Sequence, residues 1–204
     1  ETLDIIGRKA SVEQVLTAYK LAREVGFDNI NMDLIIGLPG EELSDFEDTL
    51  RQVGQLAPDS LTIHSLVIKR ASRLRSVLEE QGALGETEQI RGRRMEQMLA
   101  RGEQFAREQG YLPYYMYRQK NSAGHAGSGG QENIGYAKPG SECLYNILIM
   151  EEMQSIVALG AGASTKKYHS DRGQVSRIEN VKSVTDYISR VDEMIERKRY
   201  ALER

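Results

Sequence analysis

The stretch Asn31-Met32-Asp33-Leu34-Ile35-Ile36-Gly37-Leu38-Pro39-Gly40 decides how this chain is read. The apolar run that begins at Phe27 stops at a Gly-Leu-Pro-Gly sequence, a turn by composition. A short apolar run between turn signals reads as a strand. Side chains alternate along a strand, so Asn29, Asn31, Asp33 and Ile35 share one face, and Ile30, Met32 and Leu34 the other. Strands of parallel sheets are ordinarily apolar on both faces. A carboxylate and two amides on one face are costly to bury unless something pairs with them. Two explanations fit: an internal hydrogen-bond network, or a ligand site of the kind that parallel barrels carry at the C-terminal ends of their strands.

Outward from this strand, helix and strand alternate. Ser11 with Gln14 three residues on is a capping-box pattern. Val12, Val15, Leu16, Tyr19 and Ala22 follow at helical spacing, and Gly26 closes the helix. After the Gly-Leu-Pro-Gly turn, Ser44 is the expected cap of a second helix carrying Phe46, Leu50, Val53 and Leu56, which Pro58-Asp59 ends. Leu61 to Ile68 reads as the next strand. Strand, helix and strand at these lengths make a βαβ unit, hence a parallel sheet or barrel.

Beyond Gly85 the order changes. A long amphipathic helix is expected from about Glu88 to Glu108, with Met95, Met98, Leu99, Gly102 and Ala106 on one stripe and Arg91, Arg93 and Arg94 on a solvated face. Tyr111 to Lys120 alternates as a strand, Ser122 to Gly130 is a loop rich in Gly and Ser, and Glu132 to Ala137 is the partner strand. Leu144 to Met153 suits helix or strand. Ala163 to Asn180 reads as a hairpin turning at Asp171-Arg172-Gly173, and Ser183 with Asp186 caps a final helix ending in Lys and Arg. Gly160-Ala161-Gly162-Ala163 is a weak phosphate-cradle signal that a close-packed turn explains as well. The expectation is two domains, residues 1–86 and 87–204.

Composition narrows the function classes. The 204 residues are 40% apolar and 28% charged, ordinary for a globular protein, and a net charge of −3 gives no electrostatic reason to expect nucleic acid or an anionic membrane as partner. The longest unbroken aliphatic run, Ile147 to Met150, is far short of a membrane span, and no signal-peptide pattern appears. A single cysteine, Cys143, excludes an internal disulfide or a multi-cysteine metal site made by this chain alone, and it reads as an ordinary, at least partly buried thiol. A cytoplasmic protein is expected. The opening Glu1-Thr2-Leu3-Asp4 is read as the interior of a longer one.

The residues from Asn31 to Gly40 resemble the strand that reads roughly DLIxGLPGQT in the oxygen-independent coproporphyrinogen III oxidases of the radical S-adenosylmethionine (SAM) superfamily. Three further stretches resemble the same family. Ile6-Gly7-Arg8 is similar to its arginine-bearing segment, and His64 through Leu74 to a region of the coproporphyrinogen dehydrogenase (HemZ) branch. Arg118 to Asn121 with Glu132 to Ala137 resembles that branch's C-terminal domain.

The resemblance implies the C-terminal part of a radical-SAM (β/α) barrel followed by a small α+β domain. It implies SAM contacts at Arg8, Asp33, Ile35 and Val67, with Asp33 reaching the ribose hydroxyls. Asp33 and Ile35 share one face, and alternation puts Val67 with Leu61, Ile63 and Ser65 on a face expected to meet the same cofactor. His64 falls on the opposite face and is expected in a core or interface.

A porphyrinogen substrate bearing propionates implies basic contacts. Lys69, Arg70, Arg118 and Lys120 are the candidates, with a solvated surface as the alternative. The family's [4Fe–4S] cluster needs three thiolates, which are expected upstream, so no catalytic residue or metal ligand is assigned to this chain and it is expected to be inactive alone. The implied activity of the whole protein is oxidative decarboxylation of coproporphyrinogen III with an unspecified electron donor. Haem carriage without oxidase activity, known among relatives, is the alternative. An isolated partial barrel is expected to associate with itself through its exposed edge. The loop from Ser122 to Gln131 is longer than the family's.

Overall fold

In a computed structural model, residues 6–66, 88–118 and 132–203 are described, together with positions 74, 76 and 80. They form two compact units, Glu1–Glu142 and Cys143–Arg204.

The first unit opens with α1, Val12–Glu24. Its start follows from the capping box: the Gln14 N–H donates to Ser11 Oγ at 3.3 Å, and the Ser11 N–H donates to Gln14 Oε1 at 2.8 Å. Val12 and Val15 stay exposed, and the helix is anchored by Tyr19, whose hydroxyl donates to the Leu56 carbonyl at 2.9 Å. Strand β1, Asn31–Ile36, runs into the Gly-Leu-Pro-Gly turn, where Gly37 and Gly40 take φ of +77° and +78°. Helix α2, Leu43–Leu56, is capped by Glu42 with Asp45, so Ser44 lies inside its first turn rather than at the cap expected for it. Ala57, in the left-handed conformation before Pro58, ends it.

Strand β2, Ser60–Ser65, pairs with β1 in parallel, and the βαβ unit is formed as the sequence implies. Asp59, just before β2, locks this unit: it accepts the Ile30 N–H at 2.8 Å and pairs with Arg23 at 2.6 Å. Helix α3 spans Glu88–Glu108. Met98, Phe105 and Ala106 meet Phe46, Leu50 and Val53 of α2 and Leu34, Ile36, Leu61 and Ile63 of the strands in one core. Gly102 permits the close approach, since a Cβ there would lie 2.4 Å from Ile63 Cδ1. The arginines of α3 divide: Arg93 is exposed, whereas Arg94 pairs with Glu42 at 2.5 Å and Arg91 donates to the Leu66 carbonyl at 3.3 Å. The expected solvated face is thus only partly solvated.

Strands β3, Leu112–Arg118, and β4, Glu132–Ala137, pair with each other antiparallel, and β4 pairs antiparallel with β2. The sheet order is β1-β2-β4-β3. A boundary at 86/87 would therefore cut inside this compact unit, because β4 adds its ladder directly to β2.

The second unit begins with α4, Leu144–Met150, which resolves the helix-or-strand ambiguity for its first seven residues, and Cys143 stands half-buried at its N-terminal boundary. Strands β5, Ser164–His169, and β6, Gln174–Glu179, form the expected hairpin. The stretch Gly160 to Ala163 is a turn: the Asn180 side-chain amide donates to the Gly160 carbonyl at 2.7 Å, and the Gly160 N–H donates to the Tyr187 hydroxyl at 3.2 Å. Ser183 caps only the short α5, Val184–Ser189. The chain breaks at Arg190, and the last helix, α6, Val191–Glu203, is separate, with no basic residue in its last turn. Met194 and Lys198 are buried on α6, and the Lys198 ammonium donates to Asn180 Oδ1.

Candidate functional site

The two faces of β1 have opposite fates. Leu34 and Ile36 are buried in the core beneath the helices, with Met32 packed against it, while Asn31 and Asp33 are exposed and Ile35 half-buried on the other side. The parallel register sets Asp33 beside Thr62 and Ile35 beside His64. Thr62 and His64 thus extend the polar face of β1, whereas Leu61 and Ile63 belong to the core. Across the next ladder, His64 is level with Asn133 of β4 and Thr62 with Gly135, over which the Tyr115 ring lies.

Asp33 is the charged centre of this face. The Asn31 side-chain amide donates to its Oδ1 at 2.7 Å, and Thr62 donates in turn to Asn31 Oδ1 at 3.3 Å. His64 Nε2 lies 3.5 Å from the same Asp33 oxygen, the outer limit of a hydrogen bond. The imidazole contact is the largest influence holding the Asp33 carboxyl below its usual range; partial burial opposes it, and Asn31 and Thr62 assist. Asp33 is therefore an ionised acceptor at neutral pH, with its side chain 64% exposed. A carboxylate offers about four lone-pair sites, so one held on a single oxygen keeps capacity for two outside donors. Vicinal hydroxyls match that demand.

The remaining expected site residues divide by position. Arg8 is exposed in the segment before α1, and among the described residues no hydrogen bond or ion pair joins it to Asp33. Val67, Lys69, Arg70 and Lys120 lie outside the described residues. Arg118 ends β3 opposite Glu132, and its side chain is likewise not described. The face shared by Leu61, Ile63 and Ser65, to which alternation assigned Val67, is buried, Leu61 and Ile63 lie in the helix-covered core, and none of the three is on the Asp33 side. Conversely His64, expected in a core or interface away from the cofactor, is on Asp33's face and touches it. Thr62 was not singled out at all. The signal available was alternation within Ser60 to Ser65, which puts Thr62 and His64 together as the polar members of one face.

A cluster of iron and sulfide does not fit this chain. It requires several thiolates, and the sequence holds one cysteine, at the start of α4 in the second unit. Among the described residues no group of three or more His, Cys, Asp or Glu could hold a metal ion, and no helix is long and apolar enough to cross a membrane.

Comparison with known proteins agrees with the fold and the motif. The sequence model of the radical SAM superfamily matches residues 1–53. The oxygen-independent coproporphyrinogen-III oxidase-like protein HemZ of Bacillus subtilis is 41% identical over 97% of this chain, which spans 37% of that protein's length. The heme chaperone HemW of Escherichia coli is 27% identical over 87% of this chain and 40% of its own length. Among solved structures, coproporphyrinogen III oxidase (HemN) of Escherichia coli superposes with a TM-score of 0.57 over 94% of this chain and 40% of its own, at 19% identity, a likeness of fold. The chain spans well under half the length of each of these three relatives. With the Asn31–Gly40 strand and the βαβ unit in place, it belongs to the radical SAM family of oxygen-independent coproporphyrinogen III oxidases and their haem-related kin, in the branch that HemZ represents.

Proposed function

We propose that this chain is the C-terminal part of a radical SAM enzyme that oxidatively decarboxylates coproporphyrinogen III to protoporphyrinogen IX, and that Asp33 binds the ribose of SAM. The observation that carries the reading is the Asp33 carboxylate, ionised and exposed on the sheet face opposite the helix-packed core. An ionised carboxylate only accepts hydrogen bonds, and the 2′ and 3′ hydroxyls of a nucleoside only need acceptors in that pose. Ile35, on the same face, offers apolar contact to the nucleoside. The family resemblance adds Arg8 and the backbone at Val67 as further SAM contacts, and Lys69, Arg70, Arg118 and Lys120 would meet propionates of the substrate. Bound SAM and a cluster held elsewhere in the full-length protein supply the radical chemistry; this chain supplies orientation of the nucleoside.

The test uses the full-length protein and reads binding, not turnover. Asp33→Ala should weaken SAM binding in calorimetry by about 10- to 100-fold, the loss expected for hydrogen bonds to a charged group. Unchanged affinity would refute the assignment. Haem carriage is the second reading, and the similarity to a heme chaperone over most of the chain favours it. Anaerobic turnover of coproporphyrinogen III supports the oxidase; stoichiometric haem retention without decarboxylation supports the carrier.

A further inference from the structure

We infer that His64 is a positioning residue: it holds the Asp33 carboxylate, across the β1–β2 ladder, in the orientation that a nucleoside diol needs. The inference rests on the assignment of Asp33 to the ribose and adds a residue to it.

Three observations carry it. His64 Nε2 and the Asn31 amide converge on one oxygen, Asp33 Oδ1, at 3.5 and 2.7 Å. The two come from different strands, so together they fix the rotation of a carboxylate whose terminal torsion is otherwise broad. Asp33 also stands farther out than the imidazole, with side-chain exposures of 64% and 33%. A ligand arriving on this face meets the carboxylate first, with the ring beside it. Finally, the contact is not placed to stabilise the fold, because a polar contact this exposed contributes little to stability. Its consequence is orientation. Asp33 held this way meets a diol without first losing rotational freedom, and that preorganisation appears as affinity.

The groups around the ring are consistent with this role. Ile35 is level with His64 on β1, and Asn133 on β4. Asn133 Oδ1 is buried and has no hydrogen-bond partner among the described residues, and among these residues Asp33 is the anionic group that the ring touches.

The experiment is a double-mutant cycle in the full-length protein, with S-adenosylhomocysteine as the probe and calorimetric affinity as the readout. His64→Phe should weaken binding about tenfold. His64→Gln, which keeps an N–H donor near the position of Nε2, should restore affinity to within about threefold of the parent. In the Asp33→Asn background, His64→Phe should change affinity by less than about twofold, because a residue that acts through Asp33 has nothing left to position. If His64→Phe binds as the parent does while Asp33→Asn binds weakly, the positioning role is wrong and the ribose assignment stands. An equal loss from His64→Phe in both backgrounds would mean that the ring contacts the ligand or supports the fold by itself, which also overturns the inference. Parent-like binding by Asp33→Asn would sink both. Melting temperatures of all variants separate a binding loss from unfolding.

Discussion

The two faces of the β1–β2 pair are one residue step apart in sequence and opposite in polarity. On the helix side, Leu34, Ile36, Leu61 and Ile63 are at most 7% exposed and pack against Phe46, Met98 and Phe105. On the other side, Thr62, Asn31 and Asp33 form a hydrogen-bonded polar row with His64 beside it; Thr62 is buried and the carboxylate is in the open. Burial of apolar area drives folding, so the helix side carries the stability. The polar side contributes little to it and is free to serve a ligand. A strand that is rigid on one face and polar on the other is a platform: the core fixes the backbone, and the backbone fixes the direction of Asp33.

The largest expected effect tests the rigid side. Ile63 is fully buried, and its Cδ1 sits under Gly102 of α3. Ile63→Ala should lower the unfolding free energy by about 2–5 kcal/mol, through lost transfer energy and the cavity that remains. Urea or thermal unfolding measures this directly. A cost below about 1 kcal/mol would mean that the core relaxes around the gap, and the platform would then be softer than the packing suggests.

A smaller effect, with a sign in pH, belongs to Asp59 at the foot of β2. Burial alone would raise its carboxyl, but the Ile30 N–H and then the Arg23 guanidinium outweigh burial and hold it below its usual range. A carboxylate depressed on folding contributes stability above its unfolded pKa of about 3.9, and loses that contribution as the pH falls through the lower folded value. The parent should therefore lose stability on acidification below about pH 4. Asp59→Asn should cost about 1–2 kcal/mol at neutral pH and show a flatter acid limb. An unchanged acid limb in urea titrations between pH 3 and pH 7 would remove Asp59 from the account.

What could be read in the sequence follows the range of the interactions. The Ser11–Gln14 box and the span of α3 are set by residues within a few positions, and both stand where the sequence puts them. Composition misled where two local solutions compete. Ser44 is a good cap, but Glu42, two residues earlier, takes the position, and its N–H donates to Asp45 Oδ2 at 2.8 Å. The break at Arg190 has neither Gly nor Pro to announce it. The attachment of β4 to β2 is a choice of partner between distant segments, and no periodicity within either strand encodes it. The candidate site shows the same limit. Alternation groups Asn31, Asp33 and Ile35 on one face of β1 and Leu61, Ile63 and Ser65 on one face of β2, but it is silent on whether those faces coincide. The register Asp33 to Thr62 decides that, and it reverses the expected partnership by bringing in His64.

The smallest expected effect sharpens the comparison most, because it concerns a charged residue whose loss the fold should barely register. Asp33, like Asp59, has a carboxyl held below its usual range, here chiefly by the His64 imidazole, so its contribution has the same sign: present above about pH 3.9 and lost on acidification. The exposures separate the two residues, 64% for the Asp33 side chain and 16% for that of Asp59. Solvent screens an exposed pair, which leaves a few tenths of a kcal/mol at most. Asp33→Asn should therefore melt within about 0.5 kcal/mol of the parent and keep the parent's acid limb, even where nucleoside affinity is lost. A destabilisation as large as that of Asp59→Asn would show that the polar row helps to hold the strands together. The face would then be a structural network, and its carboxylate would not be held in reserve for a ligand.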